Sequence, residues 1–136
     1  TILLAKMTRF EGELAQRRRI GAAYDAALAG HVGVQAAPAG AESAYGLYTI
    51  RLPDAATRAR VQAALSAQQI GSGIYYPKPL HHQPAYAAHH AGCIAGGPAP
   101  LPVSEALCEQ VLSLPMHPYM TEADAARAAG VVLAAL

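Results

Sequence analysis

The sequence predicts an α/β (α+β) domain of two layers, with about three mostly antiparallel strands, helices on one face and a long N-terminal helix. Three observations predict it: an apolar stripe of helical spacing over the first 28 residues, a strand–helix–strand order within residues 45–76, and a capped final helix from residue 121. The 136 residues fit one domain. A chain of this length buries roughly two-thirds of its unfolded surface, which allows a genuine core.

The first predicted element is a helix from Ile2 to Leu28. Its stripe alternates between spacings of four and three residues and consists of Leu3, Met7, Phe10, Leu14, Gly21, Tyr24 and Leu28. Arg17 interrupts the stripe, and Glu13 stands four residues earlier, where an ion pair with Arg17 is expected. Gly30 provides a stop signal. We expect the stripe to pack into the core or against another domain.

A connection over residues 31–43 leads to a predicted strand, residues 45–52, which is aromatic, β-branched and apolar. Asp54 is placed to cap a helix that runs to about Gln69. The side chains expected to face inward from that helix are Val61, Ala64 and Leu65. A Gly-Ser-Gly turn then leads to a second predicted strand, Ile74–Tyr76.

Residues 77–102 form a long irregular segment, which in a compact domain usually has a functional reason. Pro102 favours the start of a short helix. Its expected inward residues are Val103, Leu107 and Val111. The sequence Ser113-Leu114-Pro115 predicts no more than an edge strand. Thr121 and Asp124 predict a capping box for the last helix. The side chains expected to anchor its end are Val131, Val132, Leu133 and Leu136.

Composition and charge exclude several classes of protein. The hydrophobic fraction of 53% excludes a disordered, highly charged tail. The net charge of +1 gives no field that would attract nucleic acid or an anionic membrane, and no 18-residue apolar run predicts a membrane span. The three consecutive arginines from Arg17 are interpreted as a solvated or salt-bridged helix face. The low charged fraction of 14% favours a surface that another domain or subunit covers.

The segment IYYPKPLHHQPAY, residues 74–86, is the strongest candidate for a binding site. Its polar groups comprise hydroxyls, an ammonium, an imidazole and an amide, from Tyr75, Tyr76, Lys78, His81 and Gln83. Three prolines stiffen the segment and so reduce the entropy that it would lose on binding. This set suits a polar ligand with an anionic group, such as a nucleotide-linked sugar. A proline-braced surface loop without a ligand explains the same residues equally well.

A metal site and a serine nucleophile are both weaker interpretations of the sequence. Imidazole and thiolate ligands for zinc are available from His81, His82, His89, His90 and Cys93. Adjacent histidines in an extended segment point apart, and CxxC and HExxH spacings are missing, so we predict no metal ligands. No serine lies in a GxSxG context. The two cysteines, Cys93 and Cys108, form no disulfide framework, which favours a reduced, cytoplasmic protein.

The lysines are Lys6 and Lys78 alone, and neither is a good candidate for Schiff-base chemistry. Such a lysine needs a neutral amine, which usually requires a desolvated pocket or neighbouring cations. Lys6 falls on the polar side of the first helix, and Lys78 stands between two prolines in a loop. We therefore predict no catalytic and no cofactor-binding residue in this chain.

Four blocks, in order along nearly the whole chain, resemble the C-terminal part of the DegT/DnrJ/EryC1/StrS family of sugar aminotransferases. The blocks are ILLAKMTRFEGELAQRRRIGAAYDAAL, YGLYTIRL, QQIGSGIYYPKPLHHQPAY and LPVSEALCEQVLSLPMHPYMTEAD. The resemblance implies the small C-terminal domain of a homodimeric fold-type I aminotransferase. Its pyridoxal phosphate is held by an N-terminal domain. The activity implied is amino transfer, typically from glutamate, to a keto nucleotide-sugar for polysaccharide, O-antigen, lipopolysaccharide or antibiotic biosynthesis.

The resemblance also assigns roles to residues. The block at Tyr75-Tyr76-Pro77 often reads His-Tyr-Pro in the family and contributes to the sugar-nucleotide site; Tyr75 keeps a hydrogen bond there but is no imidazole. Lys78 and His81 are the next candidates, for the anionic groups of the substrate. The implied cofactor lysine and its neighbours belong upstream of Thr1. Residues 1–30 are then a bridging helix, residues 45–136 an α/β subdomain, and the N-terminal cofactor domain is absent.

The leading hypothesis is a catalytically incomplete piece of a transaminase, and two other hypotheses remain. A stand-alone α/β module could use the same stiff loop to bind a small ligand or a partner without catalysis. A zinc-stabilised domain would be sensitive to chelators.

Overall fold

The structure is a computed structural model that describes residues 2–86 and 100–136. The described helices are α1 (Ile2–Met7), α2 (Phe10–Leu28), α3 (Ala55–Ala67), α4 (Pro102–Gln110) and α5 (Glu122–Ala134). The strands are β1 (Tyr48–Arg51) and β2 (Val111–Leu114), and two short 3₁₀ turns cover Leu80–His82 and Pro84–Tyr86. The predicted mixture of helices and a small antiparallel sheet is therefore confirmed.

The sheet pairs β1 with β2 in antiparallel register, from Tyr48 opposite Leu114 to Arg51 opposite Val111. Single-residue bridges extend it on both sides. Gly33 exchanges two backbone hydrogen bonds with Arg51, and Gly73 exchanges two with Ser113 at 3.0 and 2.7 Å. Among the described residues the sheet thus has two strands with bridged flanks, rather than about three strands.

The first predicted strand exists but is shorter than residues 45–52, and the second predicted strand, Ile74–Tyr76, was wrong. Tyr45 has a positive φ of 44°, so β1 begins only at Tyr48. Residues 74–76 form no strand. The Tyr75 ring folds back over Gly73, where a Cβ would stand 2.7 Å from a ring carbon, and pairing with β2 stops at Gly73. Because β2 lies between β1 and Gly73, it is central in the sheet and not at its edge.

The core lies between α2, α5 and one face of the sheet. The fully buried aromatic and aliphatic side chains include Ile20, Tyr24, Leu28, Tyr48, Ile50, Leu112 and Val132. From α5 the buried residues also include Ala125, Ala128 and Ala129, whose small side chains let α5 approach α2 closely. Of the four residues expected to anchor α5, only Val132 is buried, and Leu136 is 41% exposed.

The predicted N-terminal helix is interrupted, and the first half of its stripe is not buried. The Thr8 hydroxyl donates to the carbonyl of Ala5 at 2.8 Å, and α2 starts anew at Phe10. Leu3 and Met7 are 74% and 54% exposed, because among the described residues α1 contacts little beyond α2. Of the stripe, only Gly21, Tyr24 and Leu28 are buried, together with the neighbouring Ile20.

The expected ion pair between Glu13 and Arg17 is replaced by other contacts. Arg17 Nη1 donates to the carbonyls of Tyr45 and Met116 at 3.0 and 3.3 Å. Glu13 Oε1 instead accepts from the hydroxyl of Tyr119 at 2.8 Å. Arg17 therefore ties α2 to the two loops around the sheet, which explains why a charge sits in the apolar stripe.

The predicted helix starts are confirmed. Asp54 accepts from the Thr57 amide at 2.7 Å, and Thr121 with Asp124 forms the capping box of α5. Pro102 opens α4, but Val103 is 73% exposed rather than inward. Across residues 2–86 and 100–136, no helix combines the length and the apolarity needed to cross a bilayer.

Candidate functional site

The candidate site is the segment of residues 74–86, called here the tyrosine–histidine loop. It leaves the sheet at Gly73, which is bonded to Ser113 of β2. Tyr75 and Tyr76 are 51% and 73% exposed, are joined by a cis peptide bond, and meet edge to face with ring centroids 6.1 Å apart. Lys78 is also exposed. The loop thus presents two hydroxyls and an ammonium group to the solvent.

Short backbone turns give the tyrosine–histidine loop its shape. The amides of His82, Gln83 and Tyr86 donate to carbonyls three residues earlier, each at 3.0 Å. The side-chain amide of Gln83 reaches back to the carbonyl of Lys78 at 3.3 Å. Pro79 is buried beneath these turns. The loop is therefore an ordered arrangement of turns with its polar groups on the outside.

His81 differs from the three exposed candidates because its imidazole is almost buried. Its side chain is 10% exposed, and Nε2 lies 3.0 Å from Oε1 of Glu105 in the first turn of α4. Since an ionised carboxylate only accepts hydrogen bonds, Nε2 carries the proton and donates. This hydrogen bond is the largest cause that holds the pKa of Glu105 below its usual range, followed by the bond from the Leu101 amide.

The expectation that the adjacent histidines point apart was wrong. The 3₁₀ turn places the rings of His81 and His82 with centroids 4.1 Å apart, and His82 Nε2 lies 3.8 Å from the same Glu105 oxygen. One ligand atom from each of these three residues lies within 4.8 Å of the others. His89, His90 and Cys93 lie outside the described residues. Glu105 was not predicted from the sequence, where its only signal is that of an acidic residue in the first turn of a helix.

A cleft of about 360 Å³ opens beside the start of the tyrosine–histidine loop. Its lining comprises Leu47, Gly71, Ser72, Gly73, Tyr75, Ser113, Leu114, Pro115 and Met116. Tyr75 is the one predicted site residue among them. Tyr76, Lys78 and His81 lie farther along the loop, so the structure places the four predicted residues on one loop and only Tyr75 in this cleft.

The two lysines of the chain do not fit a covalently attached pyridoxal phosphate. Lys6 lies on the exposed helix α1, and Lys78 is exposed between Pro77 and Pro79. Neither ammonium is in the desolvated pocket that a Schiff-base lysine requires.

A tyrosine cluster holds α2 to the sheet behind the site. Asp25 accepts from the hydroxyl of Tyr48 at 2.6 Å and from that of Tyr45 at 3.2 Å, while Tyr24 bonds the carbonyl of Pro115. Burial, and then the hydrogen bond to Asp25, raise the pKa of Tyr48; burial, and then the charge of Asp124, raise the pKa of Tyr24. These hydroxyls stay neutral and structural, and they fix the end of β2 that borders the cleft.

The architecture matches solved aminotransferase structures. An aminotransferase of the DegT/DnrJ/EryC1/StrS type from Brucella abortus aligns with a TM-score of 0.81 at 43% identity, over 96% of this chain and 33% of that one. DesV from S. venezuelae aligns with a TM-score of 0.85 at 27% identity, over 98% of this chain and 34% of its own. The fold is thus that of one part of a sugar aminotransferase.

The model of the DegT/DnrJ/EryC1/StrS aminotransferase family matches residues 1–133, and the chain belongs to this family. The UDP-2-acetamido-2-deoxy-3-oxo-D-glucuronate aminotransferase of Pseudomonas aeruginosa is 38% identical over 124 residues, which are 90% of this chain and 32% of that protein. The UDP-N-acetyl-3-dehydro-α-D-glucosamine 3-aminotransferase of Acidithiobacillus ferrooxidans is 40% identical over 117 residues, 85% of this chain and 29% of that protein. The chain therefore spans about a third of the length of these relatives.

Proposed function

We propose that the chain is the C-terminal, substrate-closing part of a pyridoxal-phosphate-dependent aminotransferase. The reaction proposed for the whole enzyme is transfer of an amino group, typically from glutamate, to a keto group on a nucleotide-linked sugar. The observation that carries the proposal is the family match over residues 1–133 together with two relatives, 38% and 40% identical, that are named as aminotransferases of UDP-linked keto sugars. Polysaccharide, lipopolysaccharide or antibiotic sugars are the proposed products.

The tyrosine–histidine loop supplies the substrate contacts in this proposal. Tyr75 and Tyr76 offer exposed hydroxyls and ring faces, which suit a sugar or a base. Lys78 offers an exposed ammonium, a point charge that suits a diphosphate. His81 is the fourth proposed contact; because Nε2 is bonded to Glu105, only Nδ1 is left to meet the substrate. No side chain of this chain is proposed to be catalytic.

The rest of the enzyme completes the proposed site. The matched relatives are about three times as long as this chain, and we propose that a cofactor domain of that kind supplies the pyridoxal phosphate and its lysine. Residues 1–30 would bridge to it and residues 45–136 would form the α/β subdomain. The exposed apolar residues of α1, such as Leu3 and Leu4, would then be covered. A homodimer in the cytoplasm is the proposed assembly of the whole enzyme.

The two lysines give a matched test of the substrate contact. The probe is UDP-N-acetylglucosamine, added to the 136-residue chain and followed by the chemical shifts of Tyr75 and Tyr76. Lys78→Ala should weaken binding severalfold, because it removes the proposed diphosphate contact, whereas Lys6→Ala on exposed α1 should leave it unchanged. Equal affinity of both variants and the wild type would exclude Lys78 from the site. Absence of binding to the wild type would count against the loop as a substrate site.

A further inference from the structure

Glu105 joins the tyrosine–histidine loop to helix α4 through a single oxygen. Oε1 accepts from His81 Nε2 at 3.0 Å and from the Leu101 amide at 3.0 Å, and His82 Nε2 stands 3.8 Å away. Leu101 is the N-cap residue of α4. The same carboxylate therefore secures the first turn of α4 and, from that position, the turn that contains the two histidines.

Among the described residues, the bond to Glu105 is the second of two places where hydrogen bonds attach the loop to the rest of the domain. The first is the pair of backbone hydrogen bonds between Gly73 and Ser113. Ser113 belongs to β2, which follows α4 directly, so both attachments lead to one continuous unit of helix and strand. Tyr75, Tyr76 and Lys78 lie between these attachments. A segment that is attached at both of its ends loses less conformational entropy when a ligand binds.

We propose that Glu105 is a positioning residue, which holds His81 and thereby fixes the loop segment that carries Tyr75, Tyr76 and Lys78 for the nucleotide-sugar. The effect on substrate binding rests on the proposed function, whereas the attachment of the loop by Glu105 does not depend on that function. The carboxylate needs no contact with the substrate. It acts through the imidazole of His81, whose side chain is 10% exposed, while the side chain of Glu105 is 35% exposed.

Amide hydrogen exchange in the 136-residue chain tests the attachment directly. The reporting amides are those of His82, Gln83 and Tyr86, which close the turns of the loop. Glu105→Ala should speed their exchange severalfold. Glu105→Gln should do so less, because its amide oxygen can still accept from His81. The control is Glu109→Ala, an exposed glutamate on the same helix, which should leave the rates unchanged. Unchanged rates in Glu105→Ala would overturn the inference.

A second variant and a spectroscopic signature separate positioning from a general loss of structure. His81→Ala breaks the same attachment from the loop side and should speed exchange at Gln83 and Tyr86 as Glu105→Ala does. It should also return the carboxyl titration of Glu105, followed by ¹³C NMR, toward the usual pKa, because the main hydrogen bond that lowers this pKa is lost. An unshifted Glu105 titration in His81→Ala would contradict the assignment of His81 as its partner.

Titration with UDP-N-acetylglucosamine distinguishes failure of this inference from failure of the proposed function. If the wild type binds and Glu105→Ala binds severalfold more weakly, both are supported. If the two bind equally, Glu105 does not position the loop for binding and the inference is overturned. If the wild type shows no binding, the substrate role of the loop fails, and the exchange rates still decide whether Glu105 holds it.

Discussion

Replacement of Tyr48 by phenylalanine isolates one partly buried hydrogen bond that holds α2 to the sheet. Tyr48 is 0% exposed, and its hydroxyl donates to Asp25 at 2.6 Å. Phenylalanine keeps the ring, which stacks on Tyr24 with centroids 4.6 Å apart, so only the hydroxyl is lost. A hydrogen bond to a charged group contributes about 1.5–3 kcal/mol to the free energy of unfolding. For a chain of this length that corresponds to a fall in Tm of roughly 5–10 °C.

The assay is urea unfolding of the 136-residue chain, with thermal unfolding as a check. Tyr45→Phe is the matched control, because its hydroxyl lies farther from the same carboxylate, at 3.2 Å, and the residue is only half-buried. Tyr48→Phe should therefore lower the free energy of unfolding more than Tyr45→Phe does. A loss below about 0.5 kcal/mol for Tyr48→Phe would refute the reasoning, since that is the range of substitutions that touch no specific feature. A larger loss for Tyr45→Phe would refute it as well.

Three further predictions concern stability. Because the pKa values of Tyr24 and Tyr48 are raised in the folded chain, the unfolded chain loses protons above about pH 10 that the folded chain keeps. The free energy of unfolding should then fall by up to about 1.4 kcal/mol per pH unit for each tyrosine. In urea titrations at several pH values, Tyr48→Phe should make this fall less steep. Leu112→Ala should lower the free energy of unfolding by about 2–5 kcal/mol because the side chain is fully buried. Val103→Ala, at 73% exposure, should change it by no more than about 0.5 kcal/mol. Similar losses in the two variants would contradict the observed exposure of Val103 on α4. Thr121→Ala should lower the same free energy by about 1 kcal/mol through loss of the capping box, and no change would show that the cap contributes nothing.

Local signals predicted the starts of α3, α4 and α5 well, because a helix start depends on residues that are close in sequence. Asp54 with Thr57, and Thr121 with Asp124, form caps that can be read from spacing alone. The same holds for Pro102 at the first position of α4. The inward face of α4 could not be obtained in this way. Val103 and Leu107 have helical spacing, but whether that face meets the core depends on the distant elements around it.

The features that the sequence did not predict depend on contacts between distant residues. Gly73 pairs with the distant Ser113, and the Tyr75 ring folds back over Gly73 in place of the expected strand. Arg17 was expected to pair within its helix but bonds carbonyls far away in the chain.

The candidate site shows the same division between local and distant signals. The proline-rich pattern and the family resemblance identified Tyr75, Tyr76, Lys78 and His81 as candidates, and the exposure of the first three agrees with a binding role. The near-burial of His81 and its bond to Glu105 across the domain needed the structure. Residues that position a site are harder to find than those that contact the ligand, because their partners are distant in sequence.

Amino transfer by the proposed full-length enzyme, of which these residues would be the C-terminal part, tests the central claim most directly. The enzyme is supplied with pyridoxal phosphate, glutamate and a UDP-linked 3-keto N-acetyl sugar, and the amino sugar and 2-oxoglutarate are quantified by mass spectrometry. We predict both products in equal amounts, a raised KM for the sugar substrate with Lys78→Ala, and no product from the 136-residue chain alone. Turnover by the 136-residue chain alone would contradict the account, as would failure of the full-length enzyme to aminate any keto nucleotide-sugar.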